Sequence, residues 1–500
     1  MTTASFSLSI RTARWALLAI PVLALLSGCM VGPDFARPAA PASQHYDIDA
    51  ERRLSHEGDS KGASHIDFDK KADGDWWQIF GSAKLDRVMR QAIAGNLDLE
   101  AADATIRQAD EAVAATRGSL LPQLDVGAAG GRERADRAGA LATSNFYAVG
   151  PQVSFDFDLF GGTRRKVEEQ AALAELQRHR FDAAYLTVTG NVASQALLLA
   201  SARAQIQAVQ TLLTNDRKNL ELVQTAHRYG SATQVDVALA TSQLAQDETL
   251  LPPLAQQRDA ARHALSVLAG KGPADWVPPD FDLDEFVLPA GLPMSLPSEL
   301  ARERPDILEA EAQLHAASAA IGVATADMYP HLQLSASLSQ VGPGGGTLWG
   351  LVGGLTGPIF HGGTLQANRR ASIDGYDASM ADYRRTVVVA LGQVADVLQA
   401  ISHDGEEYAA QQHALDAAST SLRLTQQGYR AGEIGVLQVL DAERTYQRAL
   451  INHIRATTAR HLDTLQLSIA LGGNSGDAFA RSAGNHLERV GFDQTPAHSP

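Results

Sequence analysis

The chain has 500 residues, a formal net charge of −15 and a single cysteine, and 45% of its residues are hydrophobic. One cysteine excludes a disulfide framework and a cysteine-built metal cluster, and the acidic balance argues against a nucleic-acid-binding protein, which needs a basic surface. Aromatic residues make up only 6% of the chain, as in long packed helices or disordered segments.

The N-terminus has the organisation of an export signal. Arg11 and Arg14 precede an apolar run at residues 16–26, which is too short for a transmembrane helix and typical of a signal-peptide core. Small residues then precede Cys29, as at the processing site of bacterial lipoproteins. We expect residues 1–28 to be a lipoprotein signal peptide and Cys29 to carry covalent lipid. An ordinary signal peptide followed by a chance cysteine is the alternative.

The residue after the cysteine indicates in which of the two bacterial membranes the lipoprotein is anchored. Met30 stands where an aspartate would favour retention at the inner membrane, so we expect a lipid-anchored protein of the outer membrane. No other apolar stretch of the sequence reaches the roughly 18 residues of a membrane helix. A mature chain that crosses a membrane is therefore expected to do so as a β-barrel.

The remaining sequence repeats itself once. Similar segments contain Pro122 and Pro330, 208 residues apart, and similar glycine pairs begin at Gly161 and Gly362, 201 residues apart. The difference marks a shorter loop in the second half. We therefore expect a lipid-anchored N-terminal segment at 29–95, repeat 1 at 96–270, a proline-rich linker at 271–303, repeat 2 at 304–473 and a polar tail at 474–500.

Two segments, at about 122–160 and 330–361, alternate between apolar and polar residues, as membrane β-strands do. In the second segment Leu332, Leu334 and Ala336 alternate with glutamine and serine. Each segment is long enough for two strands, so the chain supplies four. A soluble sheet is the alternative that alternation alone leaves open.

The number of strands bears on assembly. Four strands cannot close a barrel, for which about eight are the practical minimum, and an open sheet edge cannot lie in lipid. A barrel therefore requires several chains. Two would give eight strands and a lumen filled by side chains, whereas three would give twelve and leave a conduit. The glycine-rich run from Gly342 to Gly346 is expected to be an outer hairpin loop.

Long helices are predicted at about 163–270 and 364–471, where apolar residues recur at alternating spacings of three and four. Such heptads are typical of coiled-coil packing. If residues 164–229 form one helix, it is about 100 Å long at 1.5 Å per residue. Polar residues interrupt the heptads, among them Asp216 in the first repeat and Asp404 in the second.

An ordered set of strings through nearly the whole mature chain resembles the outer-membrane-factor family of tripartite efflux systems, the TolC-like channels. Within it, the strings resemble the lipoprotein branch that serves RND-type multidrug pumps. They are Cys29-Met30-Val31-Gly32-Pro33-Asp34-Phe35, Trp76-Trp77-Gln78-Ile79-Phe80-Gly81, Asn96-Leu97-Asp98-Leu99, Leu296-Pro297-Ser298-Glu299-Leu300, Arg304-Pro305-Asp306-Ile307, Ile321-Gly322-Val323-Ala324, Pro358-Ile359-Phe360-His361-Gly362-Gly363 and Ala470-Leu471-Gly472-Gly473. The last string departs slightly, because Asn474 stands where the family often has glycine and an aromatic residue.

The resemblance implies the fold class: an α+β membrane protein with two tandem repeats, each helix–two β-strands–two long helices. It also implies a homotrimer with a 12-stranded β-barrel and an α-helical coiled-coil tunnel in the periplasm, girdled by a belt from the linker and the chain ends. The function implied is a passive, non-enzymatic exit duct for small toxic compounds, with no cofactor besides the lipid on Cys29. Its implied partners are a periplasmic adaptor, an inner-membrane RND-type pump and outer-membrane lipid.

The turns between the long helices are expected at 229–233 and 431–435. Glycine there has a simple structural reason, because reversal of a helix needs a residue that tolerates positive φ. In the family the same turns meet the helical tips of the adaptor. The resemblance therefore makes adaptor-docking residues of the following four: Gly230, Ser231, Gly432 and Glu433.

The resemblance also implies a pore constriction just past each turn. Its matching positions are Asp236 in the first repeat and Gln438 and Asp441 in the second, and Gln438 departs from a carboxylate common in relatives. Tyr429 and Arg430 are the expected gate contacts to Asp236. Asp236 also has a simpler interpretation, an acidic residue at the positive end of a helix dipole.

Two other functions remain open from the sequence. A duct for protein export by a type I secretion system is a rival within the channel class. A structural coiled-coil lipoprotein would explain the heptads and the lipid but not the duplicated strand pairs. No catalytic or metal-binding motif is present, and His453 and His461 are two turns apart on one helix, as expected of surface or packing residues.

Overall fold

The computed structural model describes residues 30–56, 65–67, 75–137, 140–289, 291–342 and 345–473. The predicted signal peptide, Cys29 and the polar tail at 474–500 lie outside these residues. The chain divides into two compact units. The first draws on residues up to Pro38, on Thr105–Gln177 and on Glu309–Arg384, and the second on Ala39–Ala104, Arg178–Leu308 and the residues from Arg385 onward.

The two repeats contain the same elements in the same order. The first contains α3 (Leu97–Gly118), β2 (Gln123–Arg137), β3 (Ala140–Phe157), α4 (Gly162–Arg228), α5 (Gln234–Glu248) and α6 (Leu251–Leu268). The second contains α8 (Pro305–Ala326), β5 (His331–Gly342), β6 (Thr347–Thr356), α9 (Thr364–Arg430) and α10 (Val436–Ala470). Both α4 and α9 have 67 residues, about 100 Å at the helical rise.

The smaller elements lie before the first repeat and in the linker. They are α1 (Ile48–His56), β1 (His65–Asp67), α2 (Ala83–Gly95), β4 (Gly291–Pro293) and α7 (Pro297–Glu303). β1 and β4 pair in parallel, so the N-terminal segment and the linker share a small sheet in the second unit.

One prediction needs correction. The second arm of the first helical hairpin is two helices, α5 and α6, whereas the second arm of the other hairpin is the single 35-residue helix α10. The break falls just before Pro252 and Pro253, which occupy the first turn of α6. Proline has no backbone N–H, so it is tolerated in a first turn but not in the middle of a helix.

The prediction about membrane-length apolar stretches also differs from the structure. Both α4 and α9 contain an 18-residue segment apolar enough to cross a membrane by length and composition. This differs from the expectation that no apolar stretch after the signal peptide reaches the length of a membrane helix. In α4, 61% of that segment is buried within the protein, as in the core helix of a packed coiled coil. Alanine-rich heptads raise the mean hydropathy of such a segment, so this measure is weak evidence for a membrane helix.

The four long strands form one antiparallel sheet in the first unit, in the order β2-β3-β5-β6. The expected hairpin loop after Gly342 joins β5 to β6. The sheet thus has two free edges, β2 and β6, since among the described strands none pairs with them on their outer sides.

The register of the sheet separates its two faces by chemistry. One row across the four strands is Leu124, Val153, Ala336 and Leu351, all apolar. Large apolar side chains on this face are exposed, including Leu124 at 71%, Leu351 at 74% and Trp349 at 80%. The adjacent row on the opposite face is Gln123, Ser154, Ser335 and Val352. The sheet therefore has one exposed apolar face and one face of mostly polar and small residues, on which Leu348 and Val352 of β6 are the large apolar exceptions.

A separate aromatic core lies in the second unit. The side chains of Trp76 and Trp77 are buried. The ring of Phe80 lies edge-on to the ring of Phe286 in the linker, with the two ring centroids 6.5 Å apart. His461 of α10 is 4% exposed and contacts the carbonyl oxygen of Phe286 at 3.1 Å. His461 is therefore a packing residue that ties the linker to the last long helix.

Candidate functional site: the helical turns and the carboxyl clusters

The two turns between the long helices have the same geometry. Gly230 has a φ of 78° and Gly432 a φ of 75°, a conformation that strains other residues. In the first turn the backbone N–H of Ser231 donates to Ala226, and in the second that of Glu433 donates to Gly428, both at 2.9 Å. This six-to-one hydrogen bond ends a helix at a left-handed residue. Both turns are exposed to solvent, so their residues are accessible to a partner.

The helices after the two turns begin differently. In the first repeat the Thr233 hydroxyl accepts from the backbone of Asp236, and the Asp236 carboxylate accepts from the backbone N–H of Thr233 at 2.7 Å. Hydrogen bonds from Thr233, that of its backbone N–H first, lower the pKa of Asp236. In the second repeat α10 begins after Gly435 without a side-chain cap. Gln438, at the position equivalent to Asp236, is exposed.

The structure does not bring the expected gate residues together within one chain. Among the described residues, neither Tyr429 nor Arg430 forms a hydrogen bond or ion pair with Asp236, whose carboxylate is engaged by Thr233. Tyr429 is 39% exposed, and Asp441 is also exposed. Within the chain Asp236 thus acts as a helix cap, and its role at a pore stays a prediction.

Sequence reasoning missed a carboxyl cluster about four turns before the first tip. Asp216 of α4, Asp247 of α5 and Glu443 of α10 are 7%, 8% and 6% exposed. Asn219 donates to one Glu443 oxygen at 3.3 Å and Asn215 donates to the other. The cluster therefore joins three helices from both repeats, and we call it the three-helix cluster.

Burial and neighbouring negative charge make one proton bind tightly in this cluster. Burial, then the charge of Asp247, raise the pKa of Asp216 to about 7, while Arg444 acts weakly in the opposite direction. Two carboxyls that contact each other in a buried site cannot both ionise easily, so they share a proton. Among the described residues no group of three or more potential ligands, this cluster included, is arranged to hold a metal ion.

A second carboxyl pair joins the two arms of the other hairpin. Burial, then the charge of Asp463 of α10, raise the pKa of Asp404 of α9 to about 7. Burial also raises the pKa of Asp463. One feature of the sequence could have revealed both carboxyl sites: Asp216 and Asp404 each stand at a heptad position where an apolar residue is expected. Their partners on the other helices had no such signal.

The N-terminal segment is fixed to the first unit by a buried arginine. Arg165 of α4 is 1% exposed and donates to the carbonyl oxygens of Val31 and Gly32 and to Asp34 at 2.7 Å. It also donates to Glu168 at 2.7 Å. We call residues 30–37 the N-terminal strap.

The strap begins directly beside the base of the sheet. The backbone N–H of Val31 donates to the carbonyl oxygen of Phe160, three residues after β3 ends. Phe35 stacks on the ring of His315 with centroids 4.4 Å apart, and Arg37 pairs with Glu311. Val31, the second residue after Cys29, is therefore held next to the segment that follows β3.

Comparison with known proteins places these features in context. The sequence matches the family described as outer membrane efflux protein over residues 88–271 and 296–473. It is 33% identical to the pyoverdine export outer membrane protein OpmQ of Pseudomonas aeruginosa over 80% of this chain and 87% of that one. It is 28% identical to the cation efflux system protein CusC of Escherichia coli K12 over 91% of this chain and 99% of that one. The solved structure of the outer-membrane channel OprN superposes with a TM-score of 0.80 at 26% identity, covering 89% of this chain and 99% of that chain.

Proposed function

Because the chain belongs to the outer membrane efflux protein family, we propose that three copies of it form one exit duct, which receives compounds from an inner-membrane pump. The membership confirms the predicted family, fold class, non-enzymatic nature and function as an outer-membrane channel of an efflux system. The trimer, the adaptor, the pump and the lipid anchor belong to the proposal.

The two faces of the sheet carry the proposal. An exposed face of leucine, valine and tryptophan is stable against lipid, and a face of serine, glutamine and glycine is stable against a water-filled lumen. Four strands leave two open edges, which lipid does not tolerate. Three copies supply twelve strands, enough to close a barrel around a conduit.

The helical turns are the proposed docking sites for a periplasmic adaptor. Both are exposed, and both are rigidly formed because the same hydrogen bonds close each of them. Gly230 and Ser231 of the first turn, and Gly432 and Glu433 of the second, would meet the adaptor. Two similar turns in each of three chains would present six related sites to it.

The residues just past the turns are the proposed constriction. Three copies of Asp441 around a narrow axis would repel anions and bind cations. Gln438 adds no charge at its own level, so this duct would select cations less strongly than a relative with a carboxylate there. Asp236 would contribute a charge only if its cap on Thr233 opens.

The transported compounds are proposed to be chosen by the pump rather than by this chain. Relatives of similar identity are named for pyoverdine export, cation efflux and solvent efflux. Pyoverdine, cations and solvents share no binding chemistry. A passive duct under an RND-type pump for small toxic compounds agrees with that range.

The lipid anchor is proposed to hold the chain at the outer membrane. Covalent lipid on Cys29 would enter the periplasmic leaflet, and the N-terminal strap would keep it beside the sheet. Two or more acyl chains give stable anchoring, whereas one gives only marginal binding.

Photo-crosslinking in living cells tests the docking sites. A photoreactive residue replaces Ser231 in one variant and Glu433 in another, and the exposed Glu406 of α9 in a control. Capture of a periplasmic adaptor at both turns and not at the control supports the proposal, and the adaptor's type would name the pump class. Capture of cell-wall or unrelated envelope proteins, with no adaptor at either turn, would overturn the docking sites in favour of a structural spacer.

A further inference from the structure

Two adjacent residues of α10 bind the second helical hairpin to both arms of the first. Glu443 accepts hydrogen bonds from Asn215 and Asn219 of α4, the latter at 3.3 Å. Arg444, the next residue, donates to Gln243 of α5. One turn of α10 therefore contacts both α4 and α5. We call this contact, made by Glu443 and Arg444, the hairpin latch.

The same turn of α10 carries the proposed constriction. Asp441 precedes Glu443 by two residues, which is about 200° around a helix with 3.6 residues per turn. Asp441 is exposed, whereas Glu443 is 6% exposed. Because both residues belong to one turn of one helix, a movement of α10 at its buried side would displace Asp441 on the other side.

The three-helix cluster beside the latch contains a carboxyl oxygen without a donor. Oδ2 of Asp216 is buried and has no hydrogen-bond partner among the described residues. The amide of Gln243 donates to Asp247 instead. A buried carboxylate oxygen without a donor is costly, and a proton shared between Asp216 and Asp247 removes that cost.

We propose that a proton shared by Asp216 and Asp247 keeps the hairpin latch closed and the constriction at Asp441 narrow. Loss of that proton leaves carboxylates on α4, α5 and α10 close together, beside the positive charge of Arg444. Their repulsion pushes α10 away from the first hairpin and widens the aperture. The inference rests on the duct and the constriction proposed above, and it adds a control of their width.

Burial and the neighbouring charges set the direction of this control. Burial, then the charge of Asp247 of α5, raise the pKa of Asp216 to about 7. The charge of Glu443 of α10 also raises this pKa, whereas that of Arg444 lowers it. The latch is therefore closed below neutral pH, where the proton is bound, and open above it. The duct would be narrowest in acidic surroundings.

An ion pair next to the cluster indicates which helix moves. Arg217 of α4 lies 3.1 Å from Glu248 of α5, and these two residues directly follow Asp216 and Asp247 in the sequence. The pair joins the two arms of the first hairpin and does not involve α10. Repulsion within the cluster is therefore expected to displace α10 rather than to separate α4 from α5.

Ion conductance of the purified full-length protein in a planar lipid bilayer, at fixed salt concentration, tests the latch. The native channel is expected to conduct several-fold better at pH 8.5 than at pH 5.5. Asp216→Asn, whose side chain has no proton to release, should keep the low conductance at both pH values. Asp247→Asn removes the other member of the pair and should also reduce the response, so it keeps the test decisive if the first variant does not fold.

Two control variants separate the latch from other ionisable groups. Asp259→Asn removes a carboxyl of α6 that pairs with Arg258, outside the cluster. His227→Gln removes a histidine at the first turn, whose ring contacts the carbonyl oxygen of Ala232 at 3.0 Å. Both variants are expected to respond to pH as the native channel does.

Three results would contradict the latch. It is overturned if Asp216→Asn and Asp247→Asn both keep the native pH response, or if His227→Gln alone loses that response. It is also overturned, with the duct left standing, if the native channel conducts equally at both pH values. A native chain that forms no trimer and no channel at either pH would instead refute the proposed duct, and the latch with it.

Discussion

Asp216→Asn is expected to reduce the pH dependence of helix packing around the three-helix cluster. The pKa of Asp216 is raised from 3.8 to about 7, so the packed state holds a proton that an unfolded chain releases. A raised pKa favours the packed state most at low pH. This contribution is lost as pH rises from about 4 through 7, where the carboxyl ionises beside Asp247 and Glu443.

The magnitude follows from the size of the shift and the surroundings of the cluster. Each tenfold change in proton affinity corresponds to about 1.4 kcal/mol. Stability falls with pH only until the carboxyl ionises near pH 7, about 1.5 pH units above pH 5.5, so the loss between pH 5.5 and 8.5 should be about 2 kcal/mol. Asparagine has nearly the shape of aspartate but does not ionise. The variant should therefore be more stable than the native chain at pH 8.5 by at least that amount, because the native chain has also lost the contribution between pH 4 and 5.5.

Hydrogen exchange measures this effect locally. Backbone amides of α4 and α5 near the cluster should exchange faster in the native chain at pH 8.5 than at pH 5.5, after correction for the intrinsic pH dependence of exchange. In Asp216→Asn the difference should shrink. Asp259→Asn is the matched control, because Arg258, by a hydrogen bond, lowers the pKa of the exposed Asp259. An equal pH response in the native chain and Asp216→Asn would refute the shared proton.

Three further changes test other contacts. Arg165→Ala removes the donor to Val31, Gly32 and Asp34, so it should release the N-terminal strap, detected as new protease cleavage within residues 30–37. Arg165→Lys, which cannot make the same set of hydrogen bonds, should restore the strap only in part. Gly432→Ala should destabilise its turn by about 1 kcal/mol in thermal unfolding, whereas Gly392→Ala inside α9 should be neutral or stabilising. Thr233→Val removes the cap of α5 and should cost about 1 kcal/mol in the same measurement, with unchanged stability contradicting the cap.

Most of the fold could be predicted because its elements have strong periodic signals. The alternation of period two located the strands, and the heptads located the long helices. The repeat then gave the number of strands. The break before Pro252 was harder, because the prolines stand where a helix can begin as well as where one must end.

The site was less predictable, because its decisive contacts join residues far apart in the chain. Asp216 was visible as a polar residue at an apolar heptad position, but Glu443 lies 227 residues later on α10. The buried Arg165 gave no signal, since its neighbours in sequence are also charged. Asp236 was predicted to face a gate, yet the nearest partner for a carboxylate at the start of a helix is the helix itself. Local capping competes with any long-range contact, and within one chain the Asp236 carboxylate accepts hydrogen bonds from Thr233 rather than from Tyr429 or Arg430.

The same comparison shows where the two repeats have diverged. The turns keep identical hydrogen bonds, and the two strand pairs keep the same alternation of faces. The caps after the turns differ, since Thr233 and Asp236 have Gly435 and Gln438 as counterparts. The carboxyl pairs also lie at different distances from the tips. Backbone geometry at the turns is thus equivalent in both repeats, whereas the polar contacts that hold each hairpin together are specific to it. A change of pH or charge would therefore act on the two hairpins at different distances from their turns.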